Sequence, residues 1–373
     1  MEEKTYELIE AVDRKLKSTR TRSLDISFNE LLDMYRSKEL VIDPEYQRLF
    51  RWSEGRQSRF IESVILELPL PPIFVIEQEE GKYELIDGLQ RISSYFHFRG
   101  SLSDGKELQL TECDIVNDLN GLTYENLPDA LKIKLKRNFI RIEIIRKESD
   151  QRLRYYMFKR LNTGGEQLSD QEIRNCTIRL LDNKFNSFII EQSKNEDFKC
   201  CIEPVSEDQL NEKYDQEIVL RFFAFKNYRS KYVHNVSDFM TEYMEAVSDG
   251  GNENVDFDYE KEGNVFIRTF SLLAKTLGER SFSPMNDRSR YISRFSYYHF
   301  EAFALGIQNI LSKINTEDKG EINRLTNVLT QIKADENFRT LTTGGGKNYK
   351  KPLLDRIDFV MSRVDKLYAD STS

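Results

Sequence analysis

The stretch "YELIDGLQRISSYFHFRG", residues 83–100, joins two kinds of backbone. A strand-like run, Tyr83 to Ile86, meets Asp87 and Gly88, and Gln90 and Arg91 then open a helix. A surface turn needs only the Asp-Gly pair, so the Gln and the Arg call for a second account. A helix N-terminus presents unpaired N–H groups and partial positive charge, and it binds phosphate readily. Gly88 lets a ligand come close to the backbone, and Arg91 carries a planar fork that grips phosphate oxygens in pairs. Asp87 has three open roles: holding a metal-bound water, orienting Arg91, or contacting a ribose hydroxyl. Gln90 would orient a water or a base. The plain alternative is Asp87 as an N-cap and Arg91 in a surface salt bridge.

Outward from this junction the pattern is mixed. "SFNELLDMYRSKEL" reads as a helix, with Ser27 and Glu30 at capping-box spacing. "SRFIESVILELPLPPI" predicts a helix with Phe60, Ile61, Val64, Ile65 and Leu68 on one face, ended by Pro69, Pro71 and Pro72. "IFVIEQ" and "KYELI" form a hairpin about Glu80-Gly81, and "FIRIEII" (139–145) places Ile140, Ile142 and Ile144 on one strand face. "DQRLRYYMFKRL" returns to helix and "NTGGEQ" breaks it. Ser169 and Glu172 then form a capping box that opens another helix. From about residue 205 the pattern is almost wholly helical. The expectation is an α+β protein: a polar segment over 1–21, a mixed domain over 22–203, and an all-helical domain over 204–373.

A chain of 373 residues suits two domains, and 39% hydrophobic with 32% charged residues describes a globular protein. No apolar run approaches bilayer length, and the charged N-terminus lacks the apolar centre of a signal peptide, so the expected location is the cytoplasm, with no membrane partner. Cys113, Cys176, Cys200 and Cys201 include no C-x-x-C pair, and the histidines are only His97, His234 and His299. That argues against a zinc hydrolase or an HNH-type nuclease. The net charge of −8 repels nucleic acid on average, so DNA binding requires a local basic surface. The candidate is "LKIKLKRNFIRIEIIRK", Leu131 to Lys147, which reads equally as a solvated helix face leading into a strand. "TTGGGKNYK" lacks Walker A spacing and reads as a flexible loop.

Four motifs occur in order: "PEYQRLFRW" (44–52), "LPLPPI" (68–73), "DGLQR" (87–91) and "RLNTGGEQLSDQEIRN" (160–175). Together they resemble the N-terminal domain of the GmrSD type IV restriction enzymes, a prokaryotic family with a ParB/sulfiredoxin-like nucleotide-binding fold. "RFFAFKNYRSKYVHNVSDFMTEYM" (221–244) resembles the helical part that follows. The resemblance covers roughly residues 22–250. It implies binding, and as an enzyme hydrolysis, of a nucleoside triphosphate with Mg²⁺, in a restriction or anti-phage defence system. The family signature Asp-Gly-Gln-Gln-Arg falls on Asp87, Gly88, Leu89, Gln90 and Arg91, with Leu89 replacing one amide. Asp87, Gln90 and Arg91 are the implied catalytic set, with Asp87 the metal ligand. Tyr46, Gln47 and Arg48 match the upstream Tyr-Gln-Arg and imply a second basic contribution to the nucleotide pocket. Asn162, Thr163, Gly164 and Gly165 match its Asn-Thr-Gly-Gly turn, and Arg174 its downstream arginine.

Competing structural roles are plain for several of these. Trp52 suits a core anchor better than a base-stacking platform, Asn162 can cap the preceding helix, and Glu172 is the capping-box acid. The complete restriction enzymes carry a C-terminal HNH nuclease domain, and no His-Asn-His cluster stands in the last 120 or so residues. The expected partners are therefore a nucleotide, DNA (modified or phage), and a separate nuclease or defence-system subunit, with oligomerisation open. The alternatives are a DNA-binding or scaffold protein with a vestigial pocket, and a ParB-like nuclease using Asp87.

Overall fold

The computed structural model describes residues 20–42, 50–102, 106–161, 169–248 and 255–369, with a few positions between 6 and 13. It divides into two compact units, Met1–Leu168 and Ser169–Ser373. This division falls earlier in the chain than the 203/204 boundary read from the sequence.

The first unit is built on a mixed five-stranded sheet in the order β1-β5-β3-β4-β2. Its strands are Thr21–Ser27 (β1), Leu40–Val41 (β2), Ile73–Glu77 (β3), Tyr83–Asp87 (β4) and Phe139–Ile145 (β5). β5 behaves as its alternation predicts, with Ile140, Ile142 and Ile144 buried and Phe139 62% exposed. The β3–β4 hairpin turns at Glu80 and Gly81, both at positive φ. β1 pairs antiparallel with β5 along its whole length. The sequence reading missed it because its first five residues are exposed, leaving no apolar alternation to see.

Helices cover the sheet. The first, Phe28–Arg36 (α1), is capped by Ser27, whose Oγ accepts from Glu30 N at 3.1 Å, and it buries Phe28, Leu31 and Leu32. The second, Glu54–Ile65 (α2), starts earlier than the apolar pattern suggests because Ser53 caps it. It also stops earlier: Glu67 adopts φ 56° and Leu68 N turns back to Ser63 O at 3.0 Å. Leu68 therefore leaves the helical face on which its spacing placed it and is 40% exposed. Helix Leu89–Phe98 (α3) packs on α2 and is buried on nearly every side. Asp129–Arg137 (α4) and Gln151–Leu161 (α5) complete the unit's longer helices.

The second unit is helical. It comprises Asp170–Ile178 (α6), Lys184–Gln192 (α7), Glu196–Cys201 (α8), Glu207–Asn211 (α9), Tyr214–Asn227 (α10) and Val236–Ser248 (α11). Tyr259–Thr276 (α12), Tyr297–Gly306 (α13), Lys319–Ala334 (α14), Glu336–Thr342 (α15) and Lys350–Ala369 (α16) follow. Its core is aromatic: Phe222, Phe223, Phe266 and Phe270 meet edge-on, stacked or tilted, with ring centroids 4.4–5.7 Å apart. Among the described residues, no helix is long and apolar enough to cross a membrane.

Candidate functional site

The junction of β4 and α3 is fixed by Gly88. It is the residue that starts α3, at φ 104° and ψ 9°. A Cβ there would lie 2.4 Å from Ile73 Cγ2 and 3.3 Å from Arg91 Nη2. Backbone angle and crowding both demand glycine. Since Gly88 occupies the cap position, Asp87 is not the N-cap, and Gly88 itself has no side chain to cap the first turn.

Asp87 ends β4 opposite Phe74, where the β3–β4 register slips. Its Oδ2 accepts from Arg91 Nη2 at 2.8 Å, and the same Nη2 donates to Pro72 O at 3.1 Å. The pair is partly buried, with side chains 31% and 15% exposed. Arg91 Nε is buried with no hydrogen-bond partner among the described residues. The guanidinium thus lies folded against the strand end beside the first turn of α3, held among the described residues through one of its three nitrogens. Leu89 turns into the core and is 3% exposed, so the position that departs from the family signature faces away from any ligand at the surface.

Gln90 has a role that the sequence did not show. Its Oε1 accepts from Arg51 N at 3.0 Å and from Trp52 N at 3.1 Å. Trp52 O in turn accepts from Gln57 Nε2 at 2.7 Å, and Gln57 Oε1 stands 2.8 Å from His97 Nδ1. Buried Gln57 and His97 therefore tie the strand-to-helix junction to α2 and to the far end of α3. Trp52 packs edge-on against Phe60 at 6.0 Å, with the Arg56 guanidinium 4.6 Å over its ring. Only the Gln90 position was legible; its partners lie 38 and 39 residues away.

The other candidate positions stand apart. Tyr46, Gln47, Arg48, Asn162, Thr163, Gly164 and Gly165 lie outside the described residues. Arg174 is 3% exposed within the helical unit. Its Nε donates to Thr241 Oγ1 (3.0 Å), Nη1 to Gln171 Oε1 (3.0 Å) and Nη2 to Ser237 Oγ (2.8 Å), with Glu217 Oε2 at 3.4 Å. All three of its nitrogens are engaged by partners of its own unit. Glu172 completes a reciprocal capping box with Ser169.

Among the described residues, no group of three or more His, Cys, Asp or Glu side chains stands ready to hold a metal ion. Asp87 belongs to no such group there, and its carboxylate pairs with the Arg91 guanidinium. The basic stretch 131–147 is no bare positive surface either. Lys134 pairs with Glu67 (3.5 Å), Arg141 with Asp25 (2.9 Å), Arg146 with Glu77 (3.4 Å) and Lys147 with Glu79 (2.9 Å).

Residues 28–179 match the family model of the GmrSD restriction endonuclease, N-terminal domain. Neither the curated proteins nor the solved structures give a match. The matched segment begins at the first residue of α1 and ends one residue past α6.

Proposed function

We propose that this GmrSD-type domain binds a nucleoside triphosphate at the β4–α3 junction. The observation that carries the reading is the start of α3 at Gly88, which has no side chain to cap it, beside a guanidinium that among the described residues is hydrogen-bonded through Nη2. Phosphate oxygens take the first-turn N–H groups and the outer donors of Arg91, while Asp87 keeps the fork aligned. Mg²⁺ bound with nucleotide needs only one or two protein carboxylates, and Asp87 is the residue that would hold it; the ion would neutralise phosphate charge. Gln90 acts on the site through the backbone of Arg51 and Trp52, so it positions the segment that follows the Tyr46-Gln47-Arg48 motif. Hydrolysis and the coupling of nucleotide to DNA or to a partner nuclease subunit belong to the same reading. Arg174 serves the packing of the helical unit.

The test is calorimetric titration of ATP, GTP, CTP and UTP, with Mg²⁺, into wild-type protein and Arg91→Ala. Loss of charge-assisted bonds worth about 1.5–3 kcal/mol corresponds to roughly ten- to a hundredfold weaker binding. Wild-type affinity in Arg91→Ala would sink the assignment. One observation favours the second reading, a scaffold or DNA-binding protein with a vestigial pocket: the 2.8 Å Arg91–Asp87 pair is already a satisfied contact. A ligand at a hundred times its Kd stabilises the fold by about 2.7 kcal/mol. A melting curve that no nucleotide moves would select that second reading.

A further inference from the structure

The helical unit contains a cavity of about 360 Å³ at the N-terminal end of α13. Arg221, Arg294, Ser296, Tyr297, Tyr298 and Thr343 contribute to its lining, and no carboxylate does.

Two separate observations bear on what it takes. The first is an uneven charge count in the interior behind it. Glu301, fully buried, accepts from Arg221 Nε at 2.8 Å and from Arg356 Nε at 2.7 Å. Arg221 and Arg356 are 5% and 1% exposed. Two buried guanidinium groups thus share one carboxylate, and a buried charge without a counter-charge is costly. The further acid whose charge acts on Arg221, Glu217, does not restore the balance. It accepts from the Tyr297 hydroxyl at 2.8 Å and stands 3.4 Å from Arg174, which brings its own positive charge. Glu301 holds Arg221 through Nε and Nη2, and no hydrogen bond to its Nη1 occurs among the described residues.

The second observation lies at the rim. Arg294 is exposed, and its side chain makes no ion pair or hydrogen bond among the described residues. Its field reaches the first turn of α13: after burial and Lys333, it is the third cause holding the His299 imidazole well below the usual histidine range. Ser296 caps that helix, and the first-turn residues Tyr297 and Tyr298 line the same cavity.

We propose that this cavity is an anion site that takes a phosphoryl group, clamped between Arg294 and Arg221 at the start of α13. Two guanidinium forks and a helix N-terminus match the charge and the several oxygens of a phosphoryl group. Binding there supplies the negative charge that the Arg221–Glu301–Arg356 cluster lacks. The phosphoryl group comes from one of two sources, a free phosphate compound or a nucleic-acid backbone. This site shares no residue with the β4–α3 junction, so it stands or falls independently of the nucleotide reading.

The experiment titrates pyrophosphate into the full chain by calorimetry, with wild type, Arg294→Glu, Thr343→Glu and Arg91→Ala. Arg294 and Thr343 are exposed, so both rim variants are expected to melt with wild type. Expected is saturable binding in wild type and Arg91→Ala, weakened at least tenfold in both rim variants. Competition with a short single-stranded oligonucleotide then separates the sources: displacement of pyrophosphate identifies a nucleic-acid backbone, and its failure identifies a free phosphate. No saturable binding to wild type overturns the proposal. So does undiminished binding to Arg294→Glu, or a loss confined to Arg91→Ala.

Discussion

Gly88 and Gln90 show how much one residue of this junction decides. At Gly88 an alanine meets both a left-handed backbone and Ile73 Cγ2 at 2.4 Å. The backbone term alone costs about 1–2 kcal/mol, and relief of the contact adds to it. Gly88→Ala is therefore expected to lower the urea-unfolding free energy by more than about 1 kcal/mol, and a change below about 0.5 kcal/mol would contradict this geometry. Gln90→Ala removes the acceptor of two backbone N–H groups, at about 0.5–1.5 kcal/mol for each bond. Trp52 is the only tryptophan, so its emission reports the same event: a red shift is expected as its backbone comes loose. Identical emission spectra would mean that Gln90 does not hold the segment. The sequence made the strand-glycine-helix order visible, along with the i, i+4 spacing that lets Asp87 meet Arg91. The carbonyl of Pro72 and the amides of Arg51 and Trp52 were not visible, because folding alone brings them to the site.

At the scale of elements, legibility followed exposure and local chemistry. β5 and α1 carry their burial in their own periodicity, so the sequence reading found both. β1, solvent-exposed over most of its length, owes its existence to pairing with β5, and pairing leaves no trace in its own residues. Glu62 makes the same point for connections. It is a 1% exposed acid on α2, among residues where the sequence reading saw only an apolar face. Its carboxylate accepts from Asp114 N (3.3 Å), Ile115 N (3.1 Å) and Val116 N (2.6 Å), closing a loop more than fifty residues downstream. Hydrogen bonds to a charged acceptor contribute about 1.5–3 kcal/mol each. Glu62→Ala is expected to cost at least about 2 kcal/mol in chemical denaturation, with faster amide exchange at residues 114–116 than elsewhere in the first unit. Uniform exchange across that unit would count against a local anchor.

On the scale of the whole molecule, the division between units was the part least available from sequence. The capping box at Ser169 and the helix after it were readable, but a local pattern does not say which core the helix joins. Arg174 shows which, through its bonds to Ser237 and Thr241 on α11 and its ion pair with Glu217 on α10. That helical core also sets a pH dependence. Burial, then Lys333 and Arg294, hold His299 well below its ordinary value of 6.5, and burial holds Lys333 well below 10.5. For each group the unfolded chain binds a proton more readily than the folded one, so the stabilisation is full above the unfolded pKa. It is lost as the pH falls toward the folded pKa. The imidazole contribution starts to fade below about pH 6.5, with a slope of up to about 1.4 kcal/mol per pH unit for one proton. The Lys333 contribution starts to fade from about pH 10.5 downward and is common to any His299 variant. His299 packs on the Phe303 and Phe338 rings, so His299→Leu keeps an apolar neighbour there and removes the titration. Chemical denaturation between pH 7 and pH 5 should then show a shallower loss of stability in His299→Leu than in wild type, whatever the absolute difference at pH 7. Two parallel curves would mean that the imidazole takes up its proton as easily folded as unfolded, which its burial against those rings and beside Lys333 and Arg294 forbids.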